Sequence, residues 1–297
     1  MIDGALLLDK PVGLSSNRAL QAAKKLLGAS KAGHAGTLDP LASGLLLLLF
    51  GEATKFAGPM LDADKEYVAL VKLGETTATG DAEGPVLEQK AVDVTKGQLE
   101  EALASFRGAI EQVPPMHSAL KRDGAPLYKL AREGRTVQRA RRRVEIHELE
   151  MLRCEPPLME LRIRCSKGTY IRTLAGDIGA VLGTGAHLSA LRRTASGRFQ
   201  VRDAMTLEAL GMLPERQRAL LPLSSLLEGM PRVELDGAGE TRLRNGQPLK
   251  ISGLASGLCA LYGSGSRVIG LGRAEADGSL WPFRLTQAAE KHRKPCD

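Results

Sequence analysis

The stretch GHAGTLDPLASG (33–44) runs straight into LLLLLF (45–50), and this junction constrains the fold more than any other part of the chain. Six consecutive apolar residues leave neither face of a strand fit for water. Residues 45–50 are therefore expected to form a strand buried on both sides. The loop before it holds one carboxylate, Asp39, one imidazole, His34, and three glycines. Asp-Pro is a favoured turn initiator, so the plain reading of Asp39 is a turn residue. The buried strand that follows raises a second reading, a carboxylate presented at a strand end over the core, where loops place functional groups. Gly33 and Gly36 are expected to let another backbone or a substrate come close.

The rest of the chain supplies a mixed α+β pattern. GALLLDK reads as a strand, and Ser15, Ser16 or Asn17 caps a helix with apolar residues Ala19, Leu20, Ala23, Leu26 and Leu27, closed by Gly28. KEYVALVKLG (65–74) reads as a second strand, and TTATGDAEGP (76–85) as a surface loop. Thr95 and Gln98 form a capping box before a helix presenting Leu99, Ala102, Leu103 and Phe106. VEIHELEML and LMELRIRCS alternate and read as strands paired around Pro156-Pro157. A further helix, closed by Gly183, presents Leu174, Ile178 and Val181. Beyond residue 230 short alternating stretches separated by Asn-Gly and Asp-Gly turns predict a small all-β module, with 215–230 as linker and the last dozen residues as a frayed tail.

Charge narrows the class of partner. The net charge is +7, but Lys121–Arg143 carries nine Lys/Arg against two carboxylates and Arg162–Arg202 carries eight against one. Two basic segments in a chain otherwise acidic on balance predict a basic groove for a polyanion. Only ten aromatic residues are present, too few for a sheet that stacks many bases. Cys154, Cys165, Cys259 and Cys296 are scattered without a C-x-x-C, so neither a zinc site nor a disulfide framework is expected. The N-terminus lacks the charged and long apolar regions of a signal peptide, and 45–50 is too short to span a bilayer, which places the chain as soluble and cytoplasmic. Neither a P-loop nor a G-x-S-x-G elbow occurs. Tyr67 and Tyr170 read first as packing residues. Arg172, at a helix start, is badly placed for the helix dipole and is expected to meet a carboxylate or phosphate.

Five blocks carry a resemblance: LDKPVGLSS, GHAGTLDPLASG, DKEYVALVKLG, VPPMHSALKRDGAPLYKLAREGR and CSKGTYIRTLAGDIG with GAHLSALRRTASG. In this order they resemble the TruB family of tRNA pseudouridine(55) synthases, from about Leu7 to Arg202. The resemblance implies an α+β catalytic domain (1–230) built on a mixed, mainly antiparallel sheet with flanking helices. It also implies a small PUA-like β-barrel module (231–290) that binds RNA. By the family pattern Asp39 is the essential carboxylate, Arg172 its cation, and Tyr67 the residue that stacks on the flipped uridine. Tyr170 and Leu191 line the base pocket, and His34 enters the space the base vacates. Lys10 and Pro11 are expected to support the catalytic loop, and His117 stands where many members carry Tyr. The implied enzyme uses no cofactor or metal, takes the T stem-loop of tRNA, and acts as a monomer without guide RNA or membrane. A guide-dependent box H/ACA subunit and a non-catalytic tRNA-binding or chaperone protein remain as alternatives.

Overall fold

The computed structural model describes residues 2–287 except 117, 119, 120, 123, 124 and 136. His117 and nearly all of the expected C-terminal tail lie outside the described residues. Among those described, nine strands form the main sheet. They are β1 (Gly4–Lys10), β2 (Ala32–Ala35), β3 (Ala42–Phe50), β4 (Lys65–Leu73), β5 (Gly108–Gln112), β6 (Arg142–Glu155), β7 (Leu158–Cys165), β8 (Ala186–Ser196) and β9 (Phe199–Gln200). The sheet order is β1-β3-β8-β4-β7-β6-β5, with β2 added to β3 and β9 to β8.

β3 is the buried strand expected from the leucine run. Leu45, Leu47 and Leu49 join Ala5 and Leu7 of β1 in one apolar cluster. Leu46, Leu48 and Phe50 join Leu6 and Leu8 in another, on the opposite face with helix α1 (Ser16–Leu27). Each such buried side chain contributes on the order of 2 kcal/mol, which anchors the strand that follows the Asp39 loop. Helix α1 starts at Ser15, whose side chain accepts from the Arg18 backbone N–H, and ends at Gly28 in the left-handed region, as the sequence predicts.

One pairing breaks the antiparallel pattern. β8 runs parallel to β3 over three residues, Leu191 opposite Ala42, Arg192 opposite Ser43 and Arg193 opposite Gly44. Only glycine fits at 44: φ is +98° and a Cβ would lie 2.3 Å from the Arg193 carbonyl oxygen. This short seam sits immediately after the Asp39 turn, so it positions the site.

Helix α2 (Lys96–Ala104) carries the Thr95/Gln98 capping box, although Phe106 lies beyond its end and packs on the core from a turn. The β6–β7 hairpin pairs Glu155 with Leu158 around the two prolines. Helix α3 (Ile171–Val181) buries Leu174 and Ile178, but Val181 is exposed at its last turn, where the helix leaves the sheet.

A second sheet holds β10 (Arg232–Glu234), β11 (Leu249–Lys250), β12 (Gly257–Gly263), β13 (Arg267–Ala274) and β14 (Ser279–Leu285), in the order β10-β12-β13-β14-β11. This β-rich module also contains a helix, α4 (Gly237–Arg244), capped by Asp236, where only strands were expected. Asp236 followed by a short polar stretch gives little apolar periodicity, which is why the helix escaped a pattern-based reading. Residues 215–230 are more than a tether. Leu226 and Leu227 are buried in the cluster that also takes Ala260, Tyr262 and Leu271, joining the module to the main sheet. No helix among the described residues is long and apolar enough to cross a membrane.

Candidate active site

The loop 36–41 is fixed from several sides before any functional group is considered. Ser16 Oγ donates to the Leu38 carbonyl at 2.9 Å and accepts from the Leu38 N–H at 2.7 Å. The Ala42 N–H closes a turn on the Asp39 carbonyl at 3.1 Å, and the Gly13 N–H reaches the Pro40 carbonyl at 2.8 Å. Asp-Pro therefore does make its turn, and Asp39 lines a cleft of about 620 Å³.

Arg172, the second residue of α3, is 7% exposed and meets that carboxylate, Nη2 to Oδ2 at 3.0 Å. Its Nη1 lies 3.5 Å from Asp81 Oδ2 and donates to the Thr79 carbonyl at 3.2 Å. Asp81 is buried, and its Oδ1 accepts from the Thr79 hydroxyl and the Glu83 N–H. The stretch expected to be a surface loop thus places a second carboxylate behind the arginine. Asp81 lies between turn residues and far from Asp39 in sequence, so nothing local distinguished it from a loop aspartate.

The Asp39 side chain is 41% exposed, but it lies against the buried Arg172, itself beside the buried Asp81. Desolvation is the largest effect and raises its pKa above the ordinary carboxylate value; Arg172 opposes the rise and Asp81 adds to it. The arginine therefore offsets burial without overcoming it. Lys10, buried beside the loop, donates to the Pro11 and Leu14 carbonyls at 2.8 and 2.6 Å. Its burial lowers its pKa to about 8, with Asp39 pulling the other way. Both of its hydrogen bonds go to the 11–14 turn, whose Gly13 N–H in turn reaches the Pro40 carbonyl.

The cleft brings together Asp39, Tyr67, Tyr170, Arg172 and Leu191. Tyr67 on β4 pairs with Arg193 of β8, and burial raises its phenol pKa against the lowering effect of Arg193. Tyr170 precedes α3; its backbone N–H donates to Gln112 Oε1 at 3.0 Å, and the Gln112 amide returns a bond to its carbonyl. Leu191 sits at the β3–β8 seam. His34 is not among the cleft-lining residues. It lies on β2 opposite Leu48, with Nδ1 buried and without a hydrogen-bond partner among the described residues, and burial, then Arg193, lowers its pKa.

Arg193 is another site residue that sequence reasoning passed over. It is 1% exposed and donates to the carbonyls of Leu45 (2.7 Å), Gly36 (3.1 Å) and Thr37 (3.4 Å), tying the loop to β3 from below. The signal was present in the Arg192-Arg193 pair. Strand alternation sends one outward, where Arg192 makes a two-pronged ion pair with Asp9, and the other inward. Gly36, at φ +101°, leaves room for this guanidinium, 3.4 Å from a notional Cβ, so the expected space for substrate is occupied by Arg193. Lys65 is a second unexpected cation of the cleft wall, donating to the Leu61 and Ala63 carbonyls at 2.6 and 2.5 Å.

The basic segment 162–202 is less free than its sequence charge implies. Arg162, Arg164, Lys167, Arg192 and Arg198 pair with Glu150, Glu148, Asp62, Asp9 and Glu228, while Arg172 and Arg193 are buried. Carboxylates distant in sequence neutralise the segment on folding.

A family model described as "TruB family pseudouridylate synthase (N terminal domain)" matches residues 24–171. Models described as "tRNA pseudouridylate synthase B C-terminal domain" and "Pseudouridine synthase II TruB, C-terminal" match 172–228 and 231–286. The chain is 51% identical over 291 residues to the tRNA pseudouridine synthase B of Dechloromonas aromatica (strain RCB), covering 97% of each. It is 54% identical over 287 residues to that of Azoarcus sp. (strain BH72), covering 96% of this chain and 95% of the other. Among solved structures it resembles a chain of a Cbf5-Nop10-Gar1 complex, with TM-score 0.72 and 30% identity over 93% of this chain and 79% of that one. A chain of an H/ACA RNP bound to a substrate RNA gives TM-score 0.74 and 26% identity, over 97% and 86% of the two chains. With relatives more than half identical along nearly its whole length, and with Asp39 held by Arg172 in a built cleft, the chain belongs to the TruB family of pseudouridine synthases.

Proposed function

We infer that the protein is a tRNA pseudouridine synthase that isomerises uridine 55 in the T loop. The observation that carries this reading is the Asp39–Arg172 pair in the cleft, in a chain so similar to enzymes of that name. The reaction breaks the N1–C1′ bond of uridine, turns the freed uracil, and joins C5 to C1′. C5 loses a proton and N1 gains one, so the reaction is an isomerisation that needs neither cofactor nor metal.

Asp39 acts ionised, as the carboxylate that drives glycosidic cleavage, and Arg172 holds it in place and favours the charged form. The uridine enters flipped out of its loop, at a cost of a few kcal/mol in lost stacking. Contacts with Tyr67, which stacks on the base, and with Tyr170 and Leu191 offset that cost; that all three line the cleft with Asp39 supports these roles. His34 enters the space the base leaves in the RNA; its place outside the cleft suits a residue that meets the loop rather than the base. The enzyme works as a monomer in the cytoplasm and needs no guide RNA.

The test is site-resolved pseudouridine mapping on a tRNA transcript treated with purified protein alone. One new pseudouridine in the T loop is expected. The fold likeness to the H/ACA particle subunit favours a second reading, guide dependence, which predicts no conversion until a guide RNA is added.

A further inference from the structure

Helix α3 opens without a cap of its own. Tyr170 stands in the N-cap position, and its side chain makes no capping bond to the first turn. A helix leaves its first backbone N–H groups without partners, and the common remedy is local. In α2 that remedy is complete. Thr95 accepts from the Gln98 N–H, and Gln98 Oε1 accepts in return from the Thr95 N–H at 2.8 Å.

In α3 the second half of the same device comes from 58 residues away. Gln112, the last residue of β5, is 1% exposed. Its Oε1 accepts from the Tyr170 N–H at 3.0 Å, and its Nε2 donates to the Tyr170 carbonyl at 3.3 Å. That carbonyl also accepts from the Leu174 N–H at 3.0 Å, which closes the first turn of the helix. One amide therefore grips both backbone polar groups of the residue from which α3 starts. The grip is itself firmly mounted. Gln112 is the register partner of Arg142 on β6, and Ile110 of the same strand packs on the main core. Two residues further on, Arg139 donates to the Pro114 carbonyl at 3.0 Å.

What the first turn of α3 carries is Arg172, two residues after Tyr170. Its contacts, 3.0 Å to Asp39 and 3.5 Å to Asp81, depend on where that turn points. The Asp39 loop is held on its own side by Ser16 and Arg193. Gln112 is the matching hold on the arginine's side. Without it the opening peptide of α3 loses both of its side-chain bonds, and Arg172 is aimed by its own contacts alone.

We propose that Gln112 is a positioning residue of the reaction: by gripping the Tyr170 backbone it aims Arg172 at Asp39. The proposal rests on the tRNA synthase reading given above for its kinetic consequence only. Two variants test it, each checked for cooperative thermal melting. Gln112→Met keeps the side-chain length and removes both bonds, and Gln112→Asn draws the amide back by one methylene. The first readout is the pH titration of the Asp39 carboxyl in the free protein, followed by carbon-13 NMR and assigned by its absence in Asp39→Asn. Arg172 opposes the rise that burial causes, so both variants are expected to move this titration to higher pH. In an Arg172→Gln background, Gln112→Met is expected to add no further shift. The second readout is the single-turnover rate at saturating tRNA, expected to fall about tenfold in Gln112→Met while Kd stays within about twofold. A wild-type titration in either folded variant overturns the proposal. So does an equal further shift in the Arg172→Gln background, or a slower rate with an unmoved titration, which is a packing role. The titration is read without RNA, so a wild type that made no pseudouridine would count against the enzyme reading and leave this test standing.

Discussion

Arg172 stands between two carboxylates, with Asp39 at 3.0 Å on the cleft side and Asp81 at 3.5 Å behind it. One guanidinium is thus shared, and the buried Asp81 fixes its orientation toward the loop. Arg172→Gln leaves Asp39 and Asp81 without that cation in a desolvated site. A fall in kcat of at least about a hundredfold is expected, as for loss of one preorganised electrostatic contact. Arg172→Lys is expected to restore little, since an ammonium cannot span both carboxylates. Single-turnover rates at saturating tRNA check this.

The pH dependence carries the same arrangement. Asp39 works ionised and its pKa is raised, chiefly by burial, so kcat/KM is expected to fall with decreasing pH above the ordinary carboxylate range. Asp81 contributes to the rise and Arg172 opposes it. Asp81→Asn is therefore expected to move the acid limb to lower pH, and Arg172→Gln to move it higher. A pH–rate profile of the three proteins gives the sign directly.

Ser16 tests the platform rather than the chemistry. Its hydroxyl makes both a donor and an acceptor bond to Leu38, immediately before Asp39. Ser16→Ala strands two buried backbone groups, which costs roughly 1–3 kcal/mol. Thermal melting is expected to drop and kcat to fall more than KM rises.

Gly44→Ala should be far more damaging than its size suggests. The residue has φ +98°, and a Cβ would sit 2.3 Å from the backbone of Arg193 at the parallel seam. A loss of more than about 3 kcal/mol, read by denaturant unfolding, is expected from the combined strain and clash.

The leucine run was legible because six apolar residues in a row permit one arrangement, and the capping residues of α1 and α2 were legible because caps are local. Asp39, Tyr67, Tyr170, Arg172 and Leu191 were named from motif blocks, and they converge on one cleft although the sequence separates them widely. His34 came from the same block as Asp39 but sits on the neighbouring strand, because the turn at Gly36 separates the two. Asp81 and Arg193 were missed for a physical reason: each matters through the groups it meets only after folding, Arg172 for one and three loop and strand carbonyls for the other. The carboxylates that neutralise residues 162–202 were hidden in the same way.

The most direct measurement is site-resolved pseudouridine mapping on tRNA treated with wild type and with Asp39→Asn, with tRNA binding measured in parallel. Wild type is predicted to convert one T-loop uridine without guide RNA, and Asp39→Asn to convert none while still binding tRNA. Conversion by Asp39→Asn at the wild-type rate would contradict the assignment of Asp39 as the essential carboxylate.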